Sequence, residues 1–302
     1  MRVSVCTLAH GRAEHLRNMV LGLDAQQRPP EELVIAVMQP EAYVLPATRF
    51  PVRQLMVGTG GIPLAAARNA AATAAQGETL IFLDVDCIPD PAFVADYAGL
   101  LETLDATLMG EVLYLPAGAN SGDLDFARFA TVGIKHSERA GPPEQTIGDC
   151  SDYRCFWSLN FAMRRTTFLK VGGFDENYVG YGGEDTDFGR MVFDEGVPLY
   201  WCRGARAYHQ HHAHHMPPVH HIDSVLANAA HFRDKWGHFT MEHWLRAFTL
   251  MGLVRLEDGE HVQLRAVTED DLALTRQQAD QPYASTAAVL AILEGRAAMA
   301  AA

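Results

Sequence analysis

Residues 79–90, TLIFLDVDCIPD, decide the fold that the sequence predicts. Their apolar and β-branched run predicts one buried strand over residues 79–89, which ends in two acids and a proline. Ligands of open α/β sheets bind at the carboxyl ends of the strands. We therefore expect Asp84 and Asp86 at a ligand site.

Strand and helix patterns alternate through the preceding residues. Buried strands are predicted over 2–9, 32–38 and 52–57, and amphipathic helices over about 10–26 and 63–75. Such alternation requires a parallel sheet with helices on its faces. The sequence therefore predicts an α/β fold with a mostly parallel central sheet.

The rest of the chain predicts an appended helical region. Residues from about 110 to 160 are irregular, and order returns from Phe156 to Tyr208. A helical pattern then runs from about Ile222 to Leu253, and an Ala-rich end predicts a weakly tethered helix. We predict one domain over 1–221 and a C-terminal helical extension over 222–302.

Charge and cysteine content exclude several classes of protein. The formal net charge of −13, without any Lys/Arg-rich run, argues against a nucleic-acid binder. Five cysteines without a pairing pattern indicate reduced thiols. Neither a signal peptide nor an apolar stretch of about 18 residues is evident. We expect a cytoplasmic protein, and peripheral attachment to a membrane surface stays open.

The two acids of the first motif suit a metal ion. Carboxylates at the rim of a sheet are the oxygen ligands that hard divalent cations prefer, usually together with substrate phosphates. The alternative is a turn with two capping acids, since Asp-X-Asp is frequent by chance. The motif alone favours the capping alternative.

A second acidic motif, GYGGEDTDF over residues 180–188, allows two interpretations. Glu184, Asp185 and Asp187 could stabilise a helix N-terminus through the helix dipole. Alternatively, Gly182 and Gly183 let a ligand approach closely, and an ionised carboxylate at a strand-to-helix junction acts as a general base.

Two further patterns point to ligands more weakly. Half of the 14 histidines fall in the run from His209 to His221, which is a solvated loop or supplies one metal ligand beside Asp86. Trp157 and Asn160, expected on one strand, combine an aromatic face with an amide, as sugar sites do. Core packing explains Trp157 about equally well.

The order of these motifs resembles that of inverting family 2 glycosyltransferases with the GT-A fold, a Rossmann-like nucleotide-diphospho-sugar transferase fold. The similarity covers roughly residues 2–215 and includes VSVCTLAHGR, the FLDVDCIPDP segment, FLKVGGFDENYVGYGGEDTDFGRM and AYHQHH. The second half resembles the C-terminal part of the β-1,4-galactosyltransferases and of bacterial chondroitin-polymerase-type enzymes.

The resemblance implies a role for each matching residue. Asp86 and His209 bind a divalent metal, Mn²⁺ or Mg²⁺, with His211 as the reserve ligand. Asp185 is the general base, and Glu184 holds a sugar. The other expected donor- or acceptor-binding residues are Thr7, Arg12, Arg68, Asp84, Trp157, Asn160 and Gly183.

The implied activity is transfer of a hexose from a nucleotide-sugar to the hydroxyl of a saccharide or other acceptor. UDP is the nucleotide most frequent in the family, although Val37 to Pro40 replace the acidic pair that contacts the base in many members. One alternative is a catalytically silent module that binds nucleotide or metal. The other is a nucleotidyltransferase, which the N-terminus disfavours because it lacks a basic, Gly-rich loop.

Overall fold

A computed structural model describes residues 1–58, 61–278 and 280–301 of the chain. These residues form two compact units. The first comprises Met1–Glu176 and Glu184–His211, and the second comprises Asn177–Gly183 and the described part of His212–Ala302. Within the predicted extension over 222–302, residues 279 and 302 lie outside the described residues. The boundary after residue 221 stays a prediction.

The first unit contains two sheets. In spatial order, the main sheet is β3-β2-β1-β4-β10-β6-β11-β9 and the second is β5-β12-β7-β8. In chain order these strands are β1 (Val3–Ala9), β2 (Glu32–Val37), β3 (Val52–Met56), β4 (Thr79–Leu83), β5 (Cys87–Pro89), β6 (Thr107–Met109), β7 (Val112–Tyr114), β8 (Ile134–Lys135), β9 (Ile147–Asp149), β10 (Asn160–Arg164), β11 (Leu199–Cys202) and β12 (Ala207–His209).

Helices connect these strands. They are α1 (Ala13–Asp24), α2 (Leu64–Ala74), α3 (Phe93–Thr103), α4 (Phe126–Val132), a 3₁₀ turn (Tyr153–Cys155), α5 (Arg165–Val171) and α6 (Glu184–Asp194). α2 packs against β1 and β2, and α3 packs against β4 and β10.

The pairing confirms the predicted α/β architecture with a mostly parallel central sheet. β1 is parallel to β2 and to β4, and β2 is parallel to β3. Every residue of β1, β2 and β4 is buried, which explains their continuous apolar runs. β11 is parallel to β6, whereas β10 is antiparallel to both of its neighbours.

The prediction of one strand over residues 79–89 was wrong. β4 ends at Leu83, and the Cys87 amide donates to the Asp84 carbonyl at 2.9 Å, which closes a turn through the two acids. β5 then leaves the main sheet and pairs with β12. Both acids therefore lie where the chain passes from one sheet to the other.

An aromatic cluster anchors α6 to the main sheet. Phe82 of β4 stacks on Phe161 of β10 with ring centroids 4.5 Å apart, and Phe188 of α6 stacks on Phe174 at 4.2 Å. The Phe161 and Phe188 rings lie 5.9 Å apart, which links the two stacks. Because the acids Glu184, Asp185 and Asp187 form the first turn of α6, this packing fixes their position.

The second unit is mainly helical. Its elements are a 3₁₀ turn (Val219–His221), α7 (Ile222–Trp236), α8 (Glu242–Leu250), β13 (Val254–Glu257), β14 (Glu260–Gln263), α9 (Glu269–Thr275) and α10 (Thr286–Ala301). The β13–β14 hairpin was not predicted. The Ala-rich α10 is not weakly tethered, because Val289 and Leu293 are buried with Ala247 of α8. No helix among the described residues has the length and apolar character needed to cross a membrane.

A buried polar network joins the two sheets of the first unit. The Tyr97 hydroxyl donates to Asn160 Oδ1 at 2.7 Å and accepts from the Gly110 amide at 2.8 Å. Asn160 Nδ2 donates to the carbonyls of Glu111 and Ala205 at 3.0 and 2.9 Å. Since Glu111 and Ala205 precede β7 and β12, Asn160 of β10 holds the second sheet against the first.

Gly110→Ala is expected to disrupt this network. A β-carbon at Gly110 would lie 2.6 Å from both the Asn160 amide nitrogen and the Tyr97 hydroxyl, and the Ala205 carbonyl blocks it as well. We expect the free energy of unfolding, measured with urea, to fall by about 2–3 kcal/mol because of overpacking and lost hydrogen bonds.

The matched control is Gly99→Ala, which lies inside α3 and whose β-carbon would meet nothing within 4 Å. It should raise the free energy of unfolding by up to about 1 kcal/mol, since alanine favours helix. Equal effects of the two substitutions would contradict a tightly packed network at Gly110.

Candidate active site

The turn after β4 is held by both sheets. The Asp84 amide donates to the Leu159 carbonyl at 3.0 Å, just before β10. The Gln210 amide, just after β12, donates to the Asp86 carbonyl at 2.7 Å. Backbone hydrogen bonds to segments of both sheets therefore fix the backbone from which the side chains of Asp84 and Asp86 extend.

Asp84 belongs to a group of three acids around Arg68. Arg68 lies on α2 and is 5% exposed, and its guanidinium lies 3.3 Å from Asp84 Oδ1 and 3.4 Å from Glu184 Oε1. Asp185 Oδ1 is 3.9 Å from the same guanidinium. Four residues that the sequence assigned to the site thus come together from α2, the β4 turn and α6.

This group carries more negative than positive charge. Burial and then the neighbouring Asp185 charge raise the pKa of Glu184 to about 7, against the opposing effect of Arg68. Burial also raises the pKa of Asp84, again against the effect of Arg68. One guanidinium therefore does not balance three carboxylates, and the group favours a proton or an additional cation.

Asp185 and Asp84 are the two most accessible acids of the group. The Asp185 side chain is 30% exposed, and Oδ2 accepts a 3.0 Å hydrogen bond from the Ser158 amide. Oδ1 accepts no hydrogen bond within the described part of the chain. Asp185 thus has one oxygen fixed by a backbone amide and one buried oxygen without a hydrogen-bond partner among the described residues; a base role requires the acceptor hydroxyl within hydrogen-bond reach of that carboxylate.

Asp86 forms a separate group with Arg12 and His209. Arg12, in a left-handed conformation at the start of α1, pairs with Asp86 Oδ2. His209 Nε2 lies 3.5 Å from Asp86 Oδ1, because β12 pairs with β5 and places His209 opposite Cys87. The Tyr114 ring stacks on His209 at 4.6 Å.

The donor atoms of this group fit a divalent metal. A carboxylate oxygen and an imidazole nitrogen are close enough to bind one ion, and such a pair suits Mn²⁺ or a similar cation. Both side chains are largely buried, at 10% and 13% exposure. His211, the reserve ligand, lies two residues beyond β12 and is half-buried.

The remaining predicted residues lie in different surroundings. Thr7 is buried in β1 and lines a narrow recess with Arg68 and Asp84. Trp157 precedes β10 rather than lying on a strand as predicted, because the 3₁₀ turn ends just before it. Gly183 has a φ of 93°, and a β-carbon there would lie 3.0 Å from the Tyr178 ring, so this position requires glycine.

Asn160 does not have the surroundings of a sugar ligand. It is completely buried, and both of its amide protons and its oxygen are used in the network described above. These hydrogen bonds give Asn160 a structural role, which is to hold the second sheet against the first. Sequence reasoning also missed His136 and Arg139, which pack on Trp157 and lie in the irregular middle of the chain, where no motif distinguished them.

Family models match both halves of this site. A model described as glycosyl transferase family 2 matches residues 50–126, and one described as the N-terminal domain of galactosyltransferase matches residues 146–215. The first range contains Arg68, Asp84 and Asp86, and the second contains Glu184, Asp185 and His209.

Two bacterial synthases are similar to about half of the chain. The chain is 30% identical to the chondroitin synthase of Escherichia coli over 173 residues, which are 50% of the chain and 25% of that protein. It is 28% identical to the hyaluronan synthase of Pasteurella multocida over 184 residues, 54% of the chain and 19% of the synthase. These matches support the resemblance to family 2 glycosyltransferases that the motifs suggested.

The chain thus matches a quarter or less of the length of either synthase. It is also 26% identical over 286 residues to an uncharacterized glycosyltransferase of Bacillus subtilis, covering 78% of the chain and 71% of that protein. The family expected from the motifs is confirmed.

Solved structures confirm the GT-A fold. GalNAc-T7 with UDP, GalNAc and Mn²⁺ aligns with a TM-score of 0.50 and 16% identity, over 70% of this chain and 44% of that one. Residues 1–349 of Staphylococcus aureus TarS with UDP also give 0.50 and 16%, over 82% and 72%. At this identity the likeness concerns the fold.

Arg68→Gln is expected to leave three acids without their shared cation. Breaking a buried ion pair costs about 3 kcal/mol of unfolding free energy, and less where the acids are partly exposed. The deficit should shrink toward about pH 5, because an acid whose folded-state pKa is raised stabilises the fold only while it is protonated. Urea unfolding at about pH 5 and pH 8 measures this difference.

The double variant Arg68→Gln/Glu184→Gln is the control. Removing the Glu184 charge should restore part of the stability at the higher pH and little at the lower one. A deficit that is the same at both pH values would mean that Arg68 stabilises the fold by packing on Phe174, which lies 5.3 Å from its guanidinium carbon, and not by charge.

Proposed function

We propose that the chain transfers a sugar from a nucleotide-sugar to an acceptor hydroxyl, with a divalent metal and with inversion at the anomeric carbon. One observation carries the proposal: a single turn directs Asp84 into the Arg68 group with Asp185, and directs Asp86 into the pair with His209. A candidate base and a candidate metal site thus lie on either side of one short segment.

UDP is the proposed nucleotide. The structures of TarS and of GalNAc-T7 contain UDP, and the second also contains Mn²⁺ and GalNAc. Thr7 and Arg12, at the end of β1 and the start of α1, are proposed to lie beside the nucleotide. Carboxyl ends of parallel strands and helix N-termini are where α/β folds bind such ligands.

Asp86 and His209 are proposed to hold the metal, Mn²⁺ or Mg²⁺. Once bound, the cation would offset the negative charge of the leaving diphosphate. The pairing of Arg12 with Asp86 brings a further positive charge to the same place. Local cations of this kind would let a protein of net charge −13 bind an anionic donor.

Asp185 is proposed to accept the proton of the acceptor hydroxyl. The freed oxygen forms the new bond to the anomeric carbon as the bond from that carbon to the diphosphate breaks on the opposite face, so the configuration inverts. The Ser158 amide holds Asp185 Oδ2 in place for this step. Glu184, whose raised pKa lets it carry a proton near neutral pH, is proposed to hydrogen-bond a sugar hydroxyl.

The acceptor is proposed to be a saccharide or another hydroxyl compound. A cytoplasmic location, with attachment to a membrane surface left open, agrees with the five free cysteines.

Substitution of the two acids separates metal-dependent binding from proton transfer. In calorimetry with UDP and Mn²⁺, Asp86→Asn should weaken UDP binding by about tenfold or more, since metal ligands dominate such sites. In EDTA the variant should match the wild type. Asp185→Asn should bind UDP normally but hydrolyse a susceptible UDP-sugar about 10²–10⁴-fold more slowly, the usual effect of losing a general base.

Asp194→Asn is the matched control, because Asp194 lies on the same helix, is exposed and pairs with Arg190. It should change neither quantity. Full turnover by Asp185→Asn would exclude it as the base. Tight metal binding by the wild type without affinity for any nucleotide would favour the catalytically silent module.

A further inference from the structure

A second buried arginine, Arg139, belongs to neither charged group. It follows β8 in the irregular segment before β9 and is 4% exposed. Its guanidinium carbon lies 5.1 Å from the Trp157 ring centroid and 5.0 Å from that of Trp201. Its terminal nitrogens Nη1 and Nη2 are buried and have no hydrogen-bond partner among the described residues.

The surroundings of Arg139 differ from those of Arg68. Both arginines are almost completely buried, but Arg68 has three carboxylates within 4 Å. Around Arg139 the groups that favour its charge are the phenols of Tyr114 and Tyr97 and the thiols of Cys87 and Cys155, and burial lowers its pKa. An arginine stays protonated even when buried. Its charge therefore requires an anion that the described residues do not supply.

A series of side-chain contacts connects Arg139 to the candidate metal ligands. Tyr114, one of its neighbours, stacks on His209, and the thiol of Cys87, another neighbour, lies 3.8 Å from Asp86 Oδ1. The His136 ring bridges Tyr114 and Trp157, with centroids 5.4 and 5.1 Å away. Contacts through Trp157, His136 and Tyr114 thus connect Arg139 to His209.

We propose that Arg139 binds an anionic oxygen group of the sugar donor. This inference rests on the proposed function. The guanidinium carbon lies over the Trp157 and Trp201 rings, and the terminal N–H groups, which have no partner among the described residues, remain for hydrogen bonds. Two parallel N–H groups match two oxygens of a phosphate or a carboxylate.

Two parts of a donor carry such oxygens: the diphosphate, and a carboxylate on the transferred sugar. Because the Arg139 nitrogens are buried, a covering side chain must shift to admit the ligand. Trp157 is half-buried, whereas Trp201 belongs to the core, so Trp157 is the side chain that moves. Trp157 is also a residue that the sequence assigned to the donor or acceptor.

Arg139→Met tests the proposal with two measurements. Without ligand, its melting temperature should rise by a few degrees, since replacing a buried unpaired charge with an apolar side chain stabilises a fold. With Mn²⁺ present, its affinity for UDP or for UDP-glucuronate should fall about tenfold or more, the loss expected for a charge-assisted bidentate contact. Arg139→Lys should retain part of the affinity.

The probes distinguish the two sources of oxygens. Weaker binding of UDP and inorganic pyrophosphate, with binding of uridine unchanged, identifies the diphosphate. Weaker binding of UDP-glucuronate alone, with UDP and UDP-glucose unchanged, identifies a sugar carboxylate. Arg190→Met is the control, because Arg190 also stacks on an aromatic ring, Tyr153, but has Asp194 as its anion; its ligand affinities should equal those of the wild type.

Other outcomes overturn the proposal. A lower melting temperature of Arg139→Met with all ligand affinities unchanged would make Arg139 a structural residue. An equal loss of affinity for uridine and for UDP would mean that the substitution distorts the whole site. If the wild type binds pyrophosphate but no UDP, the proposed nucleotide fails while Arg139 is still tested by pyrophosphate. If the wild type binds none of the probes, both proposals fail.

Discussion

The attraction between Arg68 and three carboxylates is the interaction around which the candidate site is organised. It joins α2, the end of β4 and the first turn of α6, which are distant in sequence, through one buried guanidinium. The aromatic stacks behind α6 fix the position of its acids. The positive charge of Arg68 reduces the cost of bringing these carboxylates together in a buried place. Helix capping alone would not require acids from two separate segments to converge.

The sequence predicted the parallel half of the main sheet well, because strands buried on both faces are continuous apolar runs. It failed at Asp84, where the apolar pattern continues through Cys87 to Pro89 while the backbone turns into another sheet. The apolar pattern indicates which residues are buried. Because β4 and β5 are both buried, the pattern does not show where the chain passes from one sheet to the other.

The site residues were predictable to a different degree. Arg68, Asp84, Glu184 and Asp185 lie together, as expected of residues that the resemblance assigned to one site. Asn160 was assigned to a sugar since an amide beside an aromatic residue suits either role, and only its partners distinguish them. No motif around Arg139 predicted its burial, because the tryptophans that surround it come from two other segments of the chain.

The second sheet bears on how the polypeptide folds. Its strands are two or three residues long and come from distant parts of the chain, and β5 pairs with β12 across most of the first unit's sequence. Contacts of such high sequence separation form late, after more local ones have compensated for the loss of chain entropy. During synthesis, Asp86 and His209 can therefore approach one another only after the ribosome has released β12. The parallel strands β1 to β4 can pair before then, so this part of the main sheet can form before the candidate metal site is complete.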